Sequence, residues 1–284
     1  MKLFFKVFLL SIVFWAFCYA QQDSTYTFEK IQYKQIDSTK LYLHVFRPVE
    51  KAENPRPAMV FFFGGGWVKG KPTQFYEHCK YFASRGLVCF SAEYRVKSRH
   101  GTTPFECVAD GKSAVRWIRA HAAELGVAPD KIIAAGGSAG GHVAACTGVI
   151  DGIDEQNENL SISSKPNALV LFNPVIDTSV KGYGREKLHD RWLKISPVHH
   201  VRKDLPATVI FHGTSDTTVP YENVERFCDL MERAGNLCTL VAFEGKKHAF
   251  FNYGRDNNEN YIKTVRFADK FLRALGYLTG EPTL

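Results

Sequence analysis

The segment that most constrains the fold of this chain is the glycine-rich stretch AAGGSAGGH at residues 134–142. It places Gly136-x-Ser138-x-Gly140 directly after an apolar run and directly before residues that favour a helix. A strand that turns at once into a helix passes through strained backbone, and small residues on both sides of the turn permit it. The pattern predicts Ser138 at the apex of a strand–turn–helix unit. Ordinary loops also match GxSxG, so the prediction depends on partners elsewhere in the chain.

Short apolar runs alternate with helix-like segments along most of the chain. The runs predict strands at residues 58–63, 87–92, 132–135, 168–172, 207–211 and 240–243, after an amino-terminal β-hairpin at residues 26–46. The runs at 58–63 and 168–172 have the continuous apolar pattern of strands covered on both faces. The segments between them predict helices at residues 75–85, 104–122, 221–234 and 261–275. This alternation predicts one α/β domain with a mostly parallel sheet and helices on both faces. Residues 173–205 form the one long irregular segment of the pattern.

The first twenty residues have the pattern of a secretory signal peptide. Lys2 and Lys6 precede an apolar run at residues 7–17, and Cys18-Tyr19-Ala20 follows it. We expect cleavage after Ala20, so that residues 1–20 are a signal peptide and residues 21–284 are a single catalytic domain, secreted or periplasmic. A membrane anchor is the alternative, but the run is shorter than the roughly 20 residues that span a bilayer. A lipoprotein cysteine at Cys18 is a second alternative.

Charge and cysteine content exclude several classes of protein. The net charge of +7 comes from scattered residues, without the basic stripe that a nucleic-acid-binding protein needs. Six cysteines follow residue 20, and Cys228 and Cys238 are the candidate disulfide pair because they bracket a helix end and the next strand. Cys89 and Cys146 lie in apolar runs and are expected to be buried. No metal-ligand spacing occurs, so we expect no metal and no cofactor, and the oligomeric state stays open.

Four polar or glycine-rich segments follow four of the predicted strands, where open α/β sheets bind ligands. They are the glycines at residues 64–66, Ser138, Asp216 and His248. A serine hydroxyl needs an adjacent base, and the base needs a carboxylate to orient it. The chain order serine, aspartate, histidine therefore predicts a catalytic triad. The backbone N–H groups of the glycine loop and of the first helical residue after the serine would stabilise an oxyanion, which assigns Gly65, Gly66 and Ala139 to this role.

Each candidate also has a purely structural interpretation. Asp216 could be a turn aspartate, and His248 could be a solvated loop histidine. Four other polar residues are expected to be structural: His142 and His212 as buried histidines, and Glu106 and Asp110 as helix caps or tertiary hydrogen-bond partners.

These motifs resemble those of α/β-hydrolase-fold serine esterases, close to the bacterial acetyl esterase and acetylxylan esterase (BD-FAE-like) group. The segments that carry the resemblance are FGGGW at residues 63–67, AEYR at 92–95, GGSAGGH at 136–142, HGTSD at 212–216 and GKKH at 245–248. The resemblance covers nearly all of residues 26–275. It implies the α/β-hydrolase fold with little or no cap, and substrate contact by Trp67. One departure is Phe63, which stands where the family usually has a histidine before the glycines.

The resemblance implies hydrolysis of short-chain acyl esters through an acyl-enzyme. Without an amino-terminal helical cap, the segment at residues 173–205 is the part long enough to roof the site. An open cleft and an export signal favour a carbohydrate esterase that deacetylates hemicellulose or other polysaccharide fragments. Feruloyl esterase or general carboxylesterase or lipase activity is the alternative. A peptidase and a non-catalytic binding protein of the same fold are less favoured.

Overall fold

The computed structural model of the protein describes residues 25–284, so the predicted signal peptide and its cleavage site lie outside the described residues. The described chain contains a sheet of eight strands in the order β1-β2-β4-β3-β5-β6-β7-β8. The strands are β1 (Tyr26–Ile36), β2 (Thr39–Pro48), β3 (Arg56–Phe62), β4 (Val88–Ala92), β5 (Val127–Gly137), β6 (Ala168–Phe172), β7 (Ala207–Gly213) and β8 (Cys238–Phe243). β1 pairs antiparallel with β2, and β2 pairs antiparallel with β4. The strands from β4 to β8 in this order are parallel, which confirms the predicted mostly parallel sheet with an amino-terminal hairpin.

Helices cover both faces of the sheet. They are α1 (Tyr76–Ser84), α2 (Lys97–His100), α3 (Pro104–Ala120), α4 (Ala122–Leu125), α5 (Ala139–Val149), α6 (Arg185–Leu188), α7 (Tyr221–Arg233) and α8 (Glu259–Ala274). Short 3₁₀ turns occupy Pro72–Phe75, His189–Ile195, Pro197–His199 and Asp256–Asn258. Side chains of α3, α5 and α7 pack in one core cluster, and side chains of α1 and α8 pack in a second.

The central strand β3 shows why a continuous apolar run forms here. Successive side chains of a strand point to opposite faces, so Val60 and Phe62 enter the first core cluster while Met59 and Phe61 enter the second. All four side chains are fully buried. Burying each contributes about 1.5–3 kcal/mol, which explains why a strand covered on both faces is apolar at every position.

The structure extends some predicted elements. β5 begins at Val127, five residues before the predicted start at 132, because Val127 pairs with Arg56 on β3. The intervening Pro129, Asp130 and Lys131 are exposed, so they hid the strand in the apolar pattern. Residues 173–205 are irregular as predicted, apart from the single-turn helix α6 and two of the 3₁₀ turns.

Covalent and ionic links connect elements that are distant in sequence. The predicted pair Cys228 and Cys238 forms a disulfide that joins α7 to β8, with Cα atoms 5.3 Å apart. Asp110 on α3 is fully buried, and its Oδ1 lies 2.7 Å from Lys34 Nζ and 2.8 Å from Arg95 Nη2. This aspartate is a tertiary partner, as predicted, and it ties the hairpin to the helix.

The amino terminus of α3 is closed by a capping box. The Glu106 carboxylate accepts from the backbone N–H of Thr103 at 2.7 Å, and the Thr103 hydroxyl caps the helix in return. Glu106 therefore has the structural role that the sequence predicts.

Candidate active site

Ser138 lies between β5 and α5, at the carboxyl edge of the sheet. Its φ of 55° and ψ of −122° fall in a region that non-glycine residues rarely adopt. A Cβ atom at Gly136 would lie 2.4 Å from the carbonyl oxygen of Gly140, and one at Gly140 would lie 2.1 Å from the carbonyl oxygen of Phe62. Only glycine fits at these two positions. The strained turn that the GxSxG pattern predicts is therefore present, and it projects the serine from the end of the strand.

The structure brings the three predicted triad residues into one hydrogen-bonded chain. Ser138 Oγ lies 2.9 Å from His248 Nε2, and His248 Nδ1 lies 2.6 Å from Asp216 Oδ2. Asp216 lies on the loop after β7 and His248 on the loop after β8. With its hydrogen on Nδ1, His248 donates to the carboxylate and presents a lone pair at Nε2 to the serine hydroxyl. This arrangement can remove the hydroxyl proton as the oxygen attacks a carbonyl group.

The environment of Asp216 keeps it ionised. Burial alone would raise the pKa of Asp216, but hydrogen bonds from His212 and His248 and from the backbone N–H of Val219 hold that pKa well below its usual range. Its Oδ1 accepts from the N–H groups of Thr218 and Val219 at 2.9 and 3.0 Å. The carboxylate is thus oriented by the backbone on one oxygen and available to His248 on the other.

The glycine loop at residues 64–66 lies against the serine. A Cβ atom at Gly64 would lie 3.3 Å from Ser138 Cβ. Gly65 and Gly66 have φ angles of 128° and 63°, which favour glycine. Within residues 25–284, the backbone N–H groups of Gly65, Gly66 and Ala139 have no hydrogen-bond acceptor. These are the three groups that the sequence assigns to the oxyanion site, and each is available as a donor.

The side chains of Tyr94 and Gln74 hold the glycine loop in place. Phe63, which replaces the expected histidine, is fully buried and stacks on Tyr94 with ring centroids 4.1 Å apart. The Tyr94 hydroxyl donates to the Phe63 carbonyl oxygen at 2.5 Å. Gln74 Oε1 accepts from the Gly64 N–H at 2.7 Å, and Gln74 Nε2 donates to Asn252 Oδ1 at 2.8 Å. With phenylalanine at position 63, stacking on Tyr94 and a hydrogen bond from its hydroxyl to the backbone hold the loop.

The position of Trp67 differs from the expectation that this residue contacts the substrate. Its side chain is only 1% exposed, and it packs edge-on against His142 with ring centroids 5.0 Å apart. It also packs against Tyr183 at 5.7 Å, and it does not contribute to the wall of the cavity around Ser138. The predicted substrate contact by Trp67 is wrong for this cavity, because the indole lies inside the protein.

The other candidate histidines are structural, as predicted. His142 Nε2 lies 2.6 Å from the carbonyl oxygen of Ile195, and burial lowers the pKa of His142 to about 4. His212 is fully buried, with Nε2 3.0 Å from the Val219 carbonyl oxygen and 3.3 Å from Asp216 Oδ2. His212 therefore also supports the carboxylate.

Asn173 is a site residue that the sequence patterns did not single out. It comes directly after β6, is fully buried and lines the cavity around Ser138. Its Oδ1 accepts from the Ala249 N–H at 2.8 Å, which anchors the residue next to His248. The other site residues were identified because they lie just beyond the carboxyl ends of strands. The same criterion, applied to the strand that ends at Phe172, would have identified Asn173.

A cavity of ≈ 960 Å³ opens at Ser138. The glycine loop, the chain that continues from it to Gln74, and the His248 loop form most of its wall. The segment at residues 173–205, predicted to roof the site, contributes Asn173, Tyr183 and Lys187 to the wall. In the described part of the chain, no group of three histidine, cysteine, aspartate or glutamate side chains could hold a metal ion.

In a comparison with protein families, residues 43–184, which make up half of the chain, match the BD-FAE family. The chain belongs to the BD-FAE family. Residues 166–274 of this BD-FAE chain also match the prolyl oligopeptidase family. The two matches together include the serine, aspartate and histidine of the hydrogen-bonded chain.

Solved structures of an esterase resemble this BD-FAE chain closely. The apo form of Thermogutta terrifontis esterase 2 is 49% identical, with a TM-score of 0.86 over 89% of this chain and 97% of that one. The same esterase with propionate bound is 49% identical, with a TM-score of 0.85 over 89% and 96% of the two chains. This BD-FAE chain therefore has the α/β-hydrolase fold.

Curated relatives are more distant. A probable isoprenylcysteine alpha-carbonyl methylesterase of Arabidopsis thaliana is 28% identical over 75% of this chain and 49% of its own length. Esterase LipC of Mycobacterium tuberculosis is 27% identical over 68% of this chain and 52% of its own length. The BD-FAE chain spans about half the length of these relatives, and the relatives are ester hydrolases. No helix among residues 25–284 is both long enough and apolar enough to span a bilayer.

Proposed function

We propose that this BD-FAE chain is a secreted or periplasmic serine esterase that hydrolyses short-chain acyl esters, acetyl esters above all. The observation that carries the proposal is the chain Ser138–His248–Asp216, with distances of 2.9 and 2.6 Å, next to free backbone N–H groups. Ester hydrolysis by similar proteins supports the reaction class.

In the proposed mechanism, Ser138 Oγ attacks the ester carbonyl carbon while His248 Nε2 takes the hydroxyl proton. Negative charge develops on the carbonyl oxygen, and the N–H groups of Gly65, Gly66 and Ala139 stabilise it. The bond to the alcohol oxygen then breaks, and His248 gives its proton to that oxygen. Water repeats the sequence on the acyl-enzyme, which releases the acid and restores the serine.

Small acyl groups are favoured by the comparison with the Thermogutta esterase. That esterase has been solved with propionate and with butyrate bound. The ≈ 960 Å³ cavity of the present chain is much larger than such acids and leaves room for a bulky alcohol part. Together with the export signal that we predict at residues 1–20, this supports deacetylation of hemicellulose or other polysaccharide fragments.

Feruloyl esterase or general carboxylesterase activity is the alternative within the same mechanism. The assay that separates the two compares acetate release from acetylated xylan with ferulate release from methyl ferulate. We expect a larger kcat/KM for acetate release. A larger value for ferulate release would contradict the acetyl specificity and leave the esterase mechanism intact.

The test of the esterase function is the Ser138→Ala variant with p-nitrophenyl acetate as substrate. We expect kcat/KM to fall at least about 10³-fold, because the nucleophile is absent. Ser215→Ala is the matched control, since Ser215 is an exposed serine on the Asp216 loop and does not line the cavity. Retained activity in a folded Ser138→Ala protein would contradict the proposed function.

The export proposal rests on the sequence of residues 1–20 alone. We expect the protein recovered outside the cytoplasm to begin at Gln21, as read by amino-terminal sequencing. An intact Met1 on the exported protein would contradict the proposed cleavage.

A further inference from the structure

The wall of the cavity around Ser138 carries charge of one sign. Its charged side chains are Lys69, Lys71, Arg99 and Lys187, and no aspartate or glutamate belongs to the part of the wall that the structure describes. The whole chain has 36 basic and 29 acidic residues, so its average composition would place acidic side chains among the basic ones. The one-sided wall is therefore a local feature of the site.

Three of these four cations lack a carboxylate partner. Lys187 Nζ lies 2.8 Å from Glu186 Oε1 and 4.4 Å from the centre of the Tyr183 ring, so its charge is largely compensated. Among residues 25–284, no carboxylate lies within ion-pair distance of Lys69, Lys71 or Arg99, and these three side chains are exposed. We call these three residues the cationic rim.

The positions of the cationic rim are set by the backbone around the glycine loop. The Lys69 N–H donates to the Gly65 carbonyl oxygen at 3.2 Å, so Lys69 is one turn away from the proposed oxyanion site. The Arg99 guanidinium donates to the Gly70 carbonyl oxygen at 2.8 Å, which holds it beside the same loop. The rim therefore lies on the glycine-loop side of the cavity that opens at Ser138.

Uncompensated charges around a concave site focus the electric field into it and raise the local concentration of oppositely charged ligands. Ordinary solvated lysines on a soluble protein are interspersed with acidic side chains, which cancel their field beyond a short distance. The cationic rim has no such neighbours in the cavity wall. It is thus arranged to attract an anionic group on the molecule that Ser138 attacks.

We propose that the cavity selects esters whose alcohol part carries a negative charge, namely acylated saccharides that bear carboxylate or sulfate groups. This inference rests on the proposed function. Because the acyl group is small, the alcohol part must carry the charge. The carboxylate of a sugar acid and a sugar sulfate present the same anionic oxygens to the rim.

The experiment compares the hydrolysis of matched esters by the protein that begins at Gln21, after the proposed cleavage. The substrates are a singly acetylated methyl glucuronoside, its neutral carboxamide, and the corresponding acetylated methyl glucoside sulfate. We expect kcat/KM for the anionic esters to exceed that for the carboxamide about tenfold at an ionic strength of about 0.01 M. At about 1 M the Debye length falls to about 3 Å, and we expect the ratio to fall to nearly one. The larger of the two anionic ratios identifies the group that the rim prefers.

Charge-removing variants connect this preference to the rim. We expect Lys69→Gln and Lys71→Gln each to lower the ratio of anionic to neutral kcat/KM about two- to fivefold at low ionic strength. Lys131→Gln is the matched control, because Lys131 is an exposed lysine on the amino-terminal part of β5, at the opposite edge of the sheet. The control should leave the ratio unchanged.

The outcomes separate this inference from the proposed function. A ratio near one at low ionic strength, in a protein that hydrolyses the neutral ester, would overturn the anionic preference and leave the esterase function standing. A preference that survives in Lys69→Gln/Lys71→Gln would overturn the role of the rim. Absence of hydrolysis of all three esters and of p-nitrophenyl acetate would overturn the proposed function, and this inference with it.

Discussion

Asp216→Asn tests how the carboxylate supports the reaction. In the native site Asp216 Oδ2 accepts from His248 Nδ1 at 2.6 Å, and Oδ1 accepts from two backbone N–H groups. In the variant the amide oxygen can keep the two backbone bonds, so its NH₂ group faces His248. A donor at that position favours the tautomer that protonates Nε2, and that tautomer cannot take the proton of Ser138.

The size of the effect is set by the charges involved. When His248 becomes an imidazolium, its charge lies about 4 Å from that of the carboxylate. At an effective dielectric constant of about 20 this attraction is worth about 4 kcal/mol, which corresponds to about 10³ in rate. The tautomer penalty adds to this loss, so we expect kcat to fall about 10³- to 10⁴-fold with little change in KM.

The assay is the steady-state hydrolysis of p-nitrophenyl acetate, with circular dichroism to confirm folding. Asp177→Asn is the matched control, since Asp177 is also a buried carboxylate (1% exposed) that accepts from a backbone N–H, at Ser179, but lies outside the cavity wall. A loss below about tenfold in folded Asp216→Asn protein would refute the assigned role of the carboxylate.

Two further predictions concern the fold that holds the site. Gly136→Ala should lower the free energy of unfolding by about 3 kcal/mol, because its Cβ would meet backbone atoms 2.4 and 2.7 Å away. In the control Gly148→Ala the Cβ meets only side chains at 3.1 Å or more, so urea unfolding should show a smaller loss of free energy. Burial lowers the pKa of His78 to about 3, so the unfolded chain binds a proton below pH 6.5 that the folded chain does not, and stability falls as the pH falls from 6.5. His78→Phe should therefore reduce the loss of stability between pH 7.5 and 5 by about 2 kcal/mol, and an unchanged loss would contradict this assignment.

The sequence predicted the fold and the hydrogen-bonded residues for the same reason. Strands covered on both faces are continuously apolar, so the end of each apolar run locates the end of a strand in the sequence. Ligand sites of open α/β sheets lie at the carboxyl ends of the strands. Ser138 and Asp216 each come after such a strand. His248 comes after β8, an edge strand that is only partly buried but ends in an apolar run. The structure brings the three residues together. The strained turn at Ser138 could also be predicted from the sequence, because such a turn requires the glycines at positions 136 and 140.

Features that depend on tertiary packing could not be read in this way. Trp67 comes immediately after the glycine loop, yet the edge of His142 and the ring of Tyr183 cover it. Gln74 and Asn252 are 178 residues apart in sequence, and only the folded chain shows that they form one hydrogen bond behind the glycine loop. The cationic rim likewise appears only when the loops around the cavity are assembled.

The central claim is that Ser138 becomes covalently acylated, and covalent trapping tests it most directly. The similar Thermogutta esterase 2 has been solved phosphorylated by paraoxon. We expect paraoxon to abolish hydrolysis of p-nitrophenyl acetate, with one phosphoryl group per chain located on Ser138 by peptide mass spectrometry. Complete inactivation with an unmodified Ser138, or full activity after Ser138 is modified, would contradict the account.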